Sequence, residues 1–472
     1  MDRSKLSAEI VAELAKLFSE TLERNIPKLV ESDLDGIEQR LQEMARRVFG
    51  PVVEQVIRAI AEATSNERPR CRSCHHLMRL VDSRRKRSLQ GLVGDYTISR
   101  AYYVCEHCHL SACPLDEHLG LGQGEWSPGL TRVACRLGIE DSFGEAKDAL
   151  FETLRIDLPT ETVRRVTEQV GAVAENDTQE AIGRAEAGRE PLPRQEPAQA
   201  RSKTLLVEAD GAMVHEVDGE WHEVKSGLAV PLGPEVEVDK QTGRVSLAMG
   251  KPVYCAGFES AEPFWYRLYV EACRLGLGTR DVDLVALLGD GADWIWRYGP
   301  RFLAVEVGAK RVAVIEILDI YHAFEHLGVV ANSVFGQGSA KARRWFARRK
   351  EQLLAKGASP ILKALSWLRR VEPDAAEEVR KALAYFTEHA ARMDYPRFIA
   401  QGLPIGSGAI ESTCKTLIEK REKGAGMRWS ESGAQNVASL RALQRSGRWH
   451  EFWKSHPQRR LPPTHLPLQQ AA

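Results

Sequence analysis

Apolar positions in the first 65 residues recur at helical intervals: Leu6, Ile10, Leu14, Leu17 and Phe18, then Ile37, Leu41, Met44, Val48, Val52, Val56 and Ile60. The period predicts amphipathic helices over 1–65, interrupted at Pro27 and Pro51. Between 66 and 125 the pattern changes to alternation, with Leu92, Val93, Tyr96, Ile98, Ala101, Tyr102 and Tyr103 running into Cys105, as half-buried strands do. Short helical stretches return over 126–183. Ser127-Pro128 starts one and Gly138 ends it, Ser142 caps a second, and Pro159-Thr160 opens a third that carries Arg164 and Arg165. Three short helices with a tight turn before the last predict a helix-turn-helix-like bundle, its last helix facing DNA. Residues 184–202 are rich in Pro, Glu and Arg and read as a linker.

From Lys203 the pattern is that of an α/β fold. An apolar strand, Thr204 to Ala209, ends at Asp210, and His215 to Val230 holds a hairpin turning at Asp218-Gly219. Val245 to Phe258 reads as a third strand and Pro263 to Gly276 as a helix. Leu284 to Leu288 is a buried strand ending at Gly289-Asp290-Gly291, and Arg311 to Leu318 is a last strand running into Asp319 and His322. Three meandering strands, then helix, strand, helix and strand, is the order of a ribonuclease-H-like core. That core is expected in two parts, 203–337 and 403–455, split by a helical insertion over 338–402. Residues 456–472 read as a disordered tail. The fold class expected is multidomain α+β.

Composition narrows the partners. The 472 residues carry 65 basic and 65 acidic side chains, a formal net charge of zero, so a nucleic acid would have to be met by local basic surfaces. KARRWFARRK (341–350), Trp367 to Arg370 and a basic turn at Arg84 to Arg87 are such stretches. The N-terminus has no apolar signal core and no apolar run is long enough to span a bilayer. A cytoplasmic protein with reduced thiols and no membrane partner is expected. Four of the nine cysteines form two CxxC pairs, Cys71/Cys74 and Cys105/Cys108. Each pair can place two thiolates on one side of a zinc ion, so 66–125 reads as a zinc ribbon with a long insert.

The acids carry the chemistry. A glycine-rich turn, Gly406-Ser407-Gly408, opens a helix with Glu411 in its first turn, and Lys415, Lys420, Arg421, Lys423 and then Arg428-Trp429 follow. Asp210 and Asp290, each ending an apolar run, are its expected partners. Glu208 shares a strand face with Asp210 and is the nearest rival, while Asp293 follows Asp290 by one turn. Converging carboxylates repel unless a cation neutralises them. Hard oxygen ligands select Mg²⁺ or Mn²⁺, and two such ions suit in-line phosphoryl displacement.

LVEADGAMV, WHEVKSGLAV, LLGDGADWIW, DIYHAFEH and the GSGAIESTCK…GMRWSESGAQN block together resemble the DDE transposases of bacterial insertion sequences. The ISKra type is nearest and Mutator-like enzymes are more distant. GLVGDYTISRAYYVCEHC resembles the zinc segment of that type, and the resemblance spans about residues 66–445. It implies binding of element ends in double-stranded DNA, strand cleavage, joining of 3′-hydroxyl ends to target DNA, a homodimer or larger assembly, and nucleoid association. By position it makes Asp210, Asp290 and Glu411 the metal-binding triad. Asp319-x-x-His322 matches the DxxH motif of Mutator-like enzymes, which puts His322 near the cleavage site, and Arg428-Trp429 would contact DNA. The alternatives are a ribonuclease-H-like nuclease or resolvase that cuts without joining, and a non-catalytic DNA-binding protein derived from a transposase.

Overall fold

A computed structural model of the chain describes residues 3–63, 68–122, 124–191, 203–238, 245–371, 376–424, 426–455, 457 and 460. By contact density the chain separates into two compact units, Met1–Val173 with His450–Ala472, and Ala174–Trp449. Among the described residues no helix is long and apolar enough to cross a membrane.

In the first unit, α1 (Arg3–Val30) and α2 (Leu34–Ala63) run through Pro27 and Pro51. The break expected at the prolines falls at 31–33, where Asp33 accepts from the backbone N–H of Gly36 and Ile37 and starts α2. β1 (Arg79–Gln90) and β2 (Asp95–Val104) pair antiparallel, and β3 (Ser111–Ala112) adds to β2. Arg84 to Arg87, expected as a turn, lie inside β1. There Arg85 covers the Tyr102 ring, and Arg87 donates to Asp116. Asp116 belongs to α3 (Pro114–His118).

The bundle follows the sequence signals closely at its starts. α4 (Pro128–Gly138) is capped by Ser127, and α5 (Phe143–Leu154) begins in a reciprocal Ser142–Glu145 capping box. α6 (Thr160–Glu186) is twice the expected length and passes from the first unit into the second. The expected linker therefore starts inside a helix, and its residues 192–202 lie outside the described residues. So does all of the expected tail except 457 and 460.

The second unit is built on a mixed sheet. β4 (Thr204–His215) pairs antiparallel with β5 (Trp221–Val238) and parallel with β8 (Leu284–Gly289). The third expected strand is two, β6 (Val245–Met249) on the far half of β5 and β7 (Val253–Gly257) on the near half. They part at Gly250-Lys251-Pro252, where proline has no N–H for the ladder. After β7 comes α7 (Ala261–Arg274), and after β8 comes α8 (Asp293–Leu303). A short β9–β10 hairpin (Glu306–Val307, Lys310–Arg311) leads to β11 (Ala313–Leu318), parallel to β8. The sheet order is β11-β8-β4-β5-β6.

Helices then dominate: α9 (Ile320–Phe335), α10 (Ala340–Lys356), α11 (Ser359–Val371), α12 (Ala376–Glu388), a 3₁₀ turn at Ala390–Met393 and α13 (Tyr395–Ala400). The chain returns to the sheet with α14 (Gly408–Thr413), a π-helical stretch Cys414–Glu419, α15 (Lys420–Glu422) and α16 (Glu431–Arg445); α17 (Trp449–Lys454) belongs from His450 onward to the first unit. One apolar core joins Leu205 to Val207 and Val285 to Leu288 of the sheet to Phe264, Trp265 and Leu268 of α7 and to Leu327, Ile361 and Phe386 of the helical region. The class is mixed α+β.

Candidate functional site

The parallel strands set the site's position. Glu208 on β4 is level with Leu288 on β8, and Leu318 on β11 is level with Gly289. Two residues further on, Asp210 and Asp290 stand side by side at the same end of the sheet, with Asp319 beside them. β4 does not stop at Asp210, because β5 continues to pair with it as far as His215. The backbone N–H of Gly211 donates to Asp210 Oδ1 at 2.7 Å. Burial, and then the charge of Asp290, raise the Asp210 carboxyl above the usual range, against the pull of that N–H.

Asp290 closes the loop into α8: its Oδ1 accepts from the Ala292 N–H at 3.0 Å. The Tyr385 hydroxyl, from α12, donates to the Asp290 carbonyl at 3.2 Å. His322 Nε2 stands 3.8 Å from Asp290 Oδ2, an ion-pair distance too long for a hydrogen bond. Its other ring nitrogen faces Glu325 at 3.5 Å.

Glu411 reaches the same place from α14. Ser407 donates its hydroxyl to Asp319 Oδ2 at 2.8 Å and to Glu411 Oε1 at 3.3 Å, while its backbone N–H donates to Asp319 Oδ1 at 3.2 Å. Asp319 also caps α9 through the Tyr321 N–H. With these partners it is buried and fixes the approach of α14 to the sheet. Glu208 is wholly buried, and its Oε2 accepts from the Ile410 N–H at 2.7 Å, one residue before Glu411. Among the described residues its Oε1 has no hydrogen-bond partner. Burial above all, with Asp319, Asp210 and Glu411 adding like charge, pushes the Glu208 carboxyl up to about 8.

Asp210, Asp290, Glu411 and His322 thus share one region, although the oxygens of the three acids are not gathered within 4.8 Å of one another. Ser407, named in sequence only as part of the glycine-rich turn, completes the region with Tyr385 and with Cys414, whose thiol lies 3.5 Å from Asp210 Oδ2. Only contact partners brought together by the fold reveal them.

Beyond Glu411 the helix widens. A π-helical turn leaves carbonyls misaligned with the next turn's donors. Buried Arg441 of α16 supplies two of the missing donors, from Nε to Leu417 O at 2.8 Å and from Nη2 to Thr416 O. Lys415 and Arg428 are exposed. Arg421 is buried over the Trp429 ring. Trp429, expected at a DNA surface, is itself buried, with its indole N–H donating to the Glu422 carbonyl. Apolar burial and a satisfied N–H make it an anchor for the chain after α15. In the bundle, Arg164 is held between Glu161 and Glu168, and Arg165 lies over Trp126.

The four cysteines form a second centre. Cys71 and Cys105 each donate their N–H to the carbonyl five residues on, and each accepts at its own carbonyl from the N–H four residues on. The two knuckles are alike down to His75 and His109, both in the left-handed region at φ 59°. Sulfur separations of 3.3, 3.4 and 3.5 Å approach the ~3.8 Å edge of a tetrahedron with Zn–S bonds of about 2.3 Å. The Cys74 and Ser73 N–H groups point at Cys71 and bring its thiol down to about 6. The set can hold a zinc-like ion.

The sequence pattern of the family described as Uncharacterised protein family (UPF0236) matches residues 23–452, a span that takes in both the cysteine centre and the acidic region. A protein of Streptococcus gallolyticus, the "UPF0236 protein in vanSb 3′ region", is 22% identical over 381 residues, covering 79% of this chain and 76% of the relative. With nine-tenths of its length inside the family pattern, the chain belongs to UPF0236.

Proposed function

We propose that this protein is a DNA transposase of the DDE type, cutting and joining DNA strands with Asp210, Asp290 and Glu411. The observation that carries the reading is that Asp210 and Asp290 stand at one end of the sheet and that Ser407 links Glu411 to Asp319 beside them, from β4, the end of β8 and α14, elements far apart in sequence. The strand order, with β5 antiparallel and β4, β8 and β11 parallel, supports a ribonuclease-H-like core. The donor set suits Mg²⁺ or Mn²⁺: it is all hard oxygen, and burial first, then the charge of Asp290, raise the Asp210 carboxyl, which a cation would relieve. A bound pair of such ions would supply charge neutralisation for the attacking and leaving oxygens. The chain's own part is to hold the acids in place. Asp319 and Glu208 bond the start of α14, Ser407 steadies Glu411, and His322 stands ready to accept or donate a proton beside Asp290.

The cysteine centre would hold structural Zn²⁺ as a zinc ribbon, and α4 to α6 would act as a helix-turn-helix-like module on double-stranded DNA. Lys415, four residues after Glu411, and Arg428 further along are exposed cations that phosphates could meet. Work on element ends calls for a dimer or larger assembly at the nucleoid.

The test uses duplex oligonucleotides carrying the inverted repeats that flank the coding sequence, with Mg²⁺ present. Wild type should nick the ends and join them to target DNA, and Glu411→Gln should bind equally but cut at least tenfold more slowly. Cutting without joining would favour a nuclease or resolvase. Cleavage by Glu411→Gln within tenfold of wild type would remove the triad.

A further inference from the structure

At the tip of the β4–β5 hairpin, a few residues beyond Asp210, Glu216, Asp218 and His222 form a group whose ligand atoms all lie within 4.8 Å of one another. Their spacing follows from the turn. Gly219 sits at φ 91°, the Glu220 N–H bonds Asp218 Oδ1 at 2.9 Å, and the Glu216 N–H bonds the Glu220 carbonyl. Asp218 and His222 are thereby brought face to face across the hairpin, with Oδ2 to Nε2 at 2.8 Å.

Glu216 is the unusual member. Only 6% of its surface is exposed, and among the described residues its Oε1 has no hydrogen-bond partner. A buried, unpartnered carboxylate oxygen costs free energy unless something positive meets it. The hairpin is also not a free loop. Val217 N–H donates to the Trp429 carbonyl at 2.9 Å, and Trp429 N–H donates to His215 O at 3.3 Å.

We propose that Glu216, Asp218 and His222 form a second, hairpin metal site for a borderline divalent transition ion such as Zn²⁺. One imidazole with two carboxylates prefers that class over Mg²⁺ or Ca²⁺, which take oxygen alone. Bonds of about 2.0–2.2 Å to nitrogen and oxygen bring ligand atoms to roughly 3.4 Å apart, so small side-chain rotations suffice. Occupancy ties the hairpin tip to the strand bridge at Trp429. The site does not depend on the transposase reading.

The test is a Zn²⁺ titration of the full chain already loaded at its cysteines, by calorimetry with elemental analysis after gel filtration. Wild type should take up one further Zn²⁺ per chain and melt at a higher temperature once it does. His222→Gln, an exposed change that leaves the fold alone, should lose that extra equivalent or bind it at least tenfold more weakly. Glu216→Gln should do the same while keeping the side chain's shape. Equal zinc content in wild type and both variants, or the same response to Mg²⁺ as to Zn²⁺, would overturn the proposal.

Discussion

At the scale of single residues, Glu208 sets the most specific expectation. An ordinary glutamate titrates near ~4.3 in an unfolded chain, whereas the buried Glu208 carboxyl is pushed up to about 8 in the fold. The folded state then holds a proton that the unfolded state has given up. Its contribution to stability is complete below about pH 4.3 and is lost as the pH rises to about 8. Glu208→Gln keeps an acceptor for the Ile410 N–H and removes the titration. Unfolding free energies from denaturant melts at fixed zinc and without added Mg²⁺, from pH 5 to 8.5, should fall for wild type by a few kcal/mol, at about 1.4 kcal/mol per pKa unit, and stay flatter for the variant. Parallel slopes would mean that Glu208 titrates normally. Asp210 and Asp290 stand out in sequence as charged residues closing apolar runs, and Glu411 as an acid in the first turn after a glycine-rich stretch. Glu208 was legible as a neighbour on the same face, though not as a capping partner of α14, because that bond spans 202 residues.

At the scale of elements, the cysteine knuckles were the most readable part, since a four-residue turn fixes its own geometry. Their consequence is direct: a metal held by both knuckles ties β1 and β2 together at their Cys ends, and its binding free energy is folding free energy. Cys71→Ser should lower zinc content and melting temperature together, as read by elemental analysis and calorimetry; zinc content at the wild-type level would discount the centre. Other elements were read less well for physical reasons. The strand at Asp210 was ended too early because a charged residue looks like a terminus, while its continuation depends on β5 alongside. The third strand was read as one because its apolar alternation outweighed Gly250 and Pro252. Trp429 beside Arg428 suggested a surface pair, whereas burial of the ring is decided by Arg421 and Glu422, which a local pattern does not place.

At the scale of the second unit, one buried network ties segments from along its length. Arg267 on α7, 2% exposed, is held by both oxygens of Glu175 on α6 at 2.8 Å and by Glu259 at 2.6 Å. Ser439 and Gln435 on α16 also donate to Glu175. Removing Glu175 leaves Arg267 with Glu259 alone and part of its buried guanidinium unmet, at a cost up to the ~3–5 kcal/mol of a broken buried pair. Glu175→Ala should therefore unfold at markedly lower denaturant, while Glu180→Ala, exposed one turn on, should shift by no more than about 0.5 kcal/mol. Equal effects of the two changes would show the network to be energetically idle. Sequence could not have found this network, whose members sit on three helices and a loop.

The widened turn after Glu411 has a bearing on how this part of the chain tolerates change. Each residue of an α-helix advances the side chains by about 100°, so a single-residue deletion at Cys414 would swing Lys415 and the cations after it to another side of the axis relative to Glu411. Arg441 would then offer its guanidinium to carbonyls no longer turned its way. Length there is as constrained as chemistry: substitutions on the exposed side can accumulate, whereas an indel would disconnect the acid from the cations that follow it.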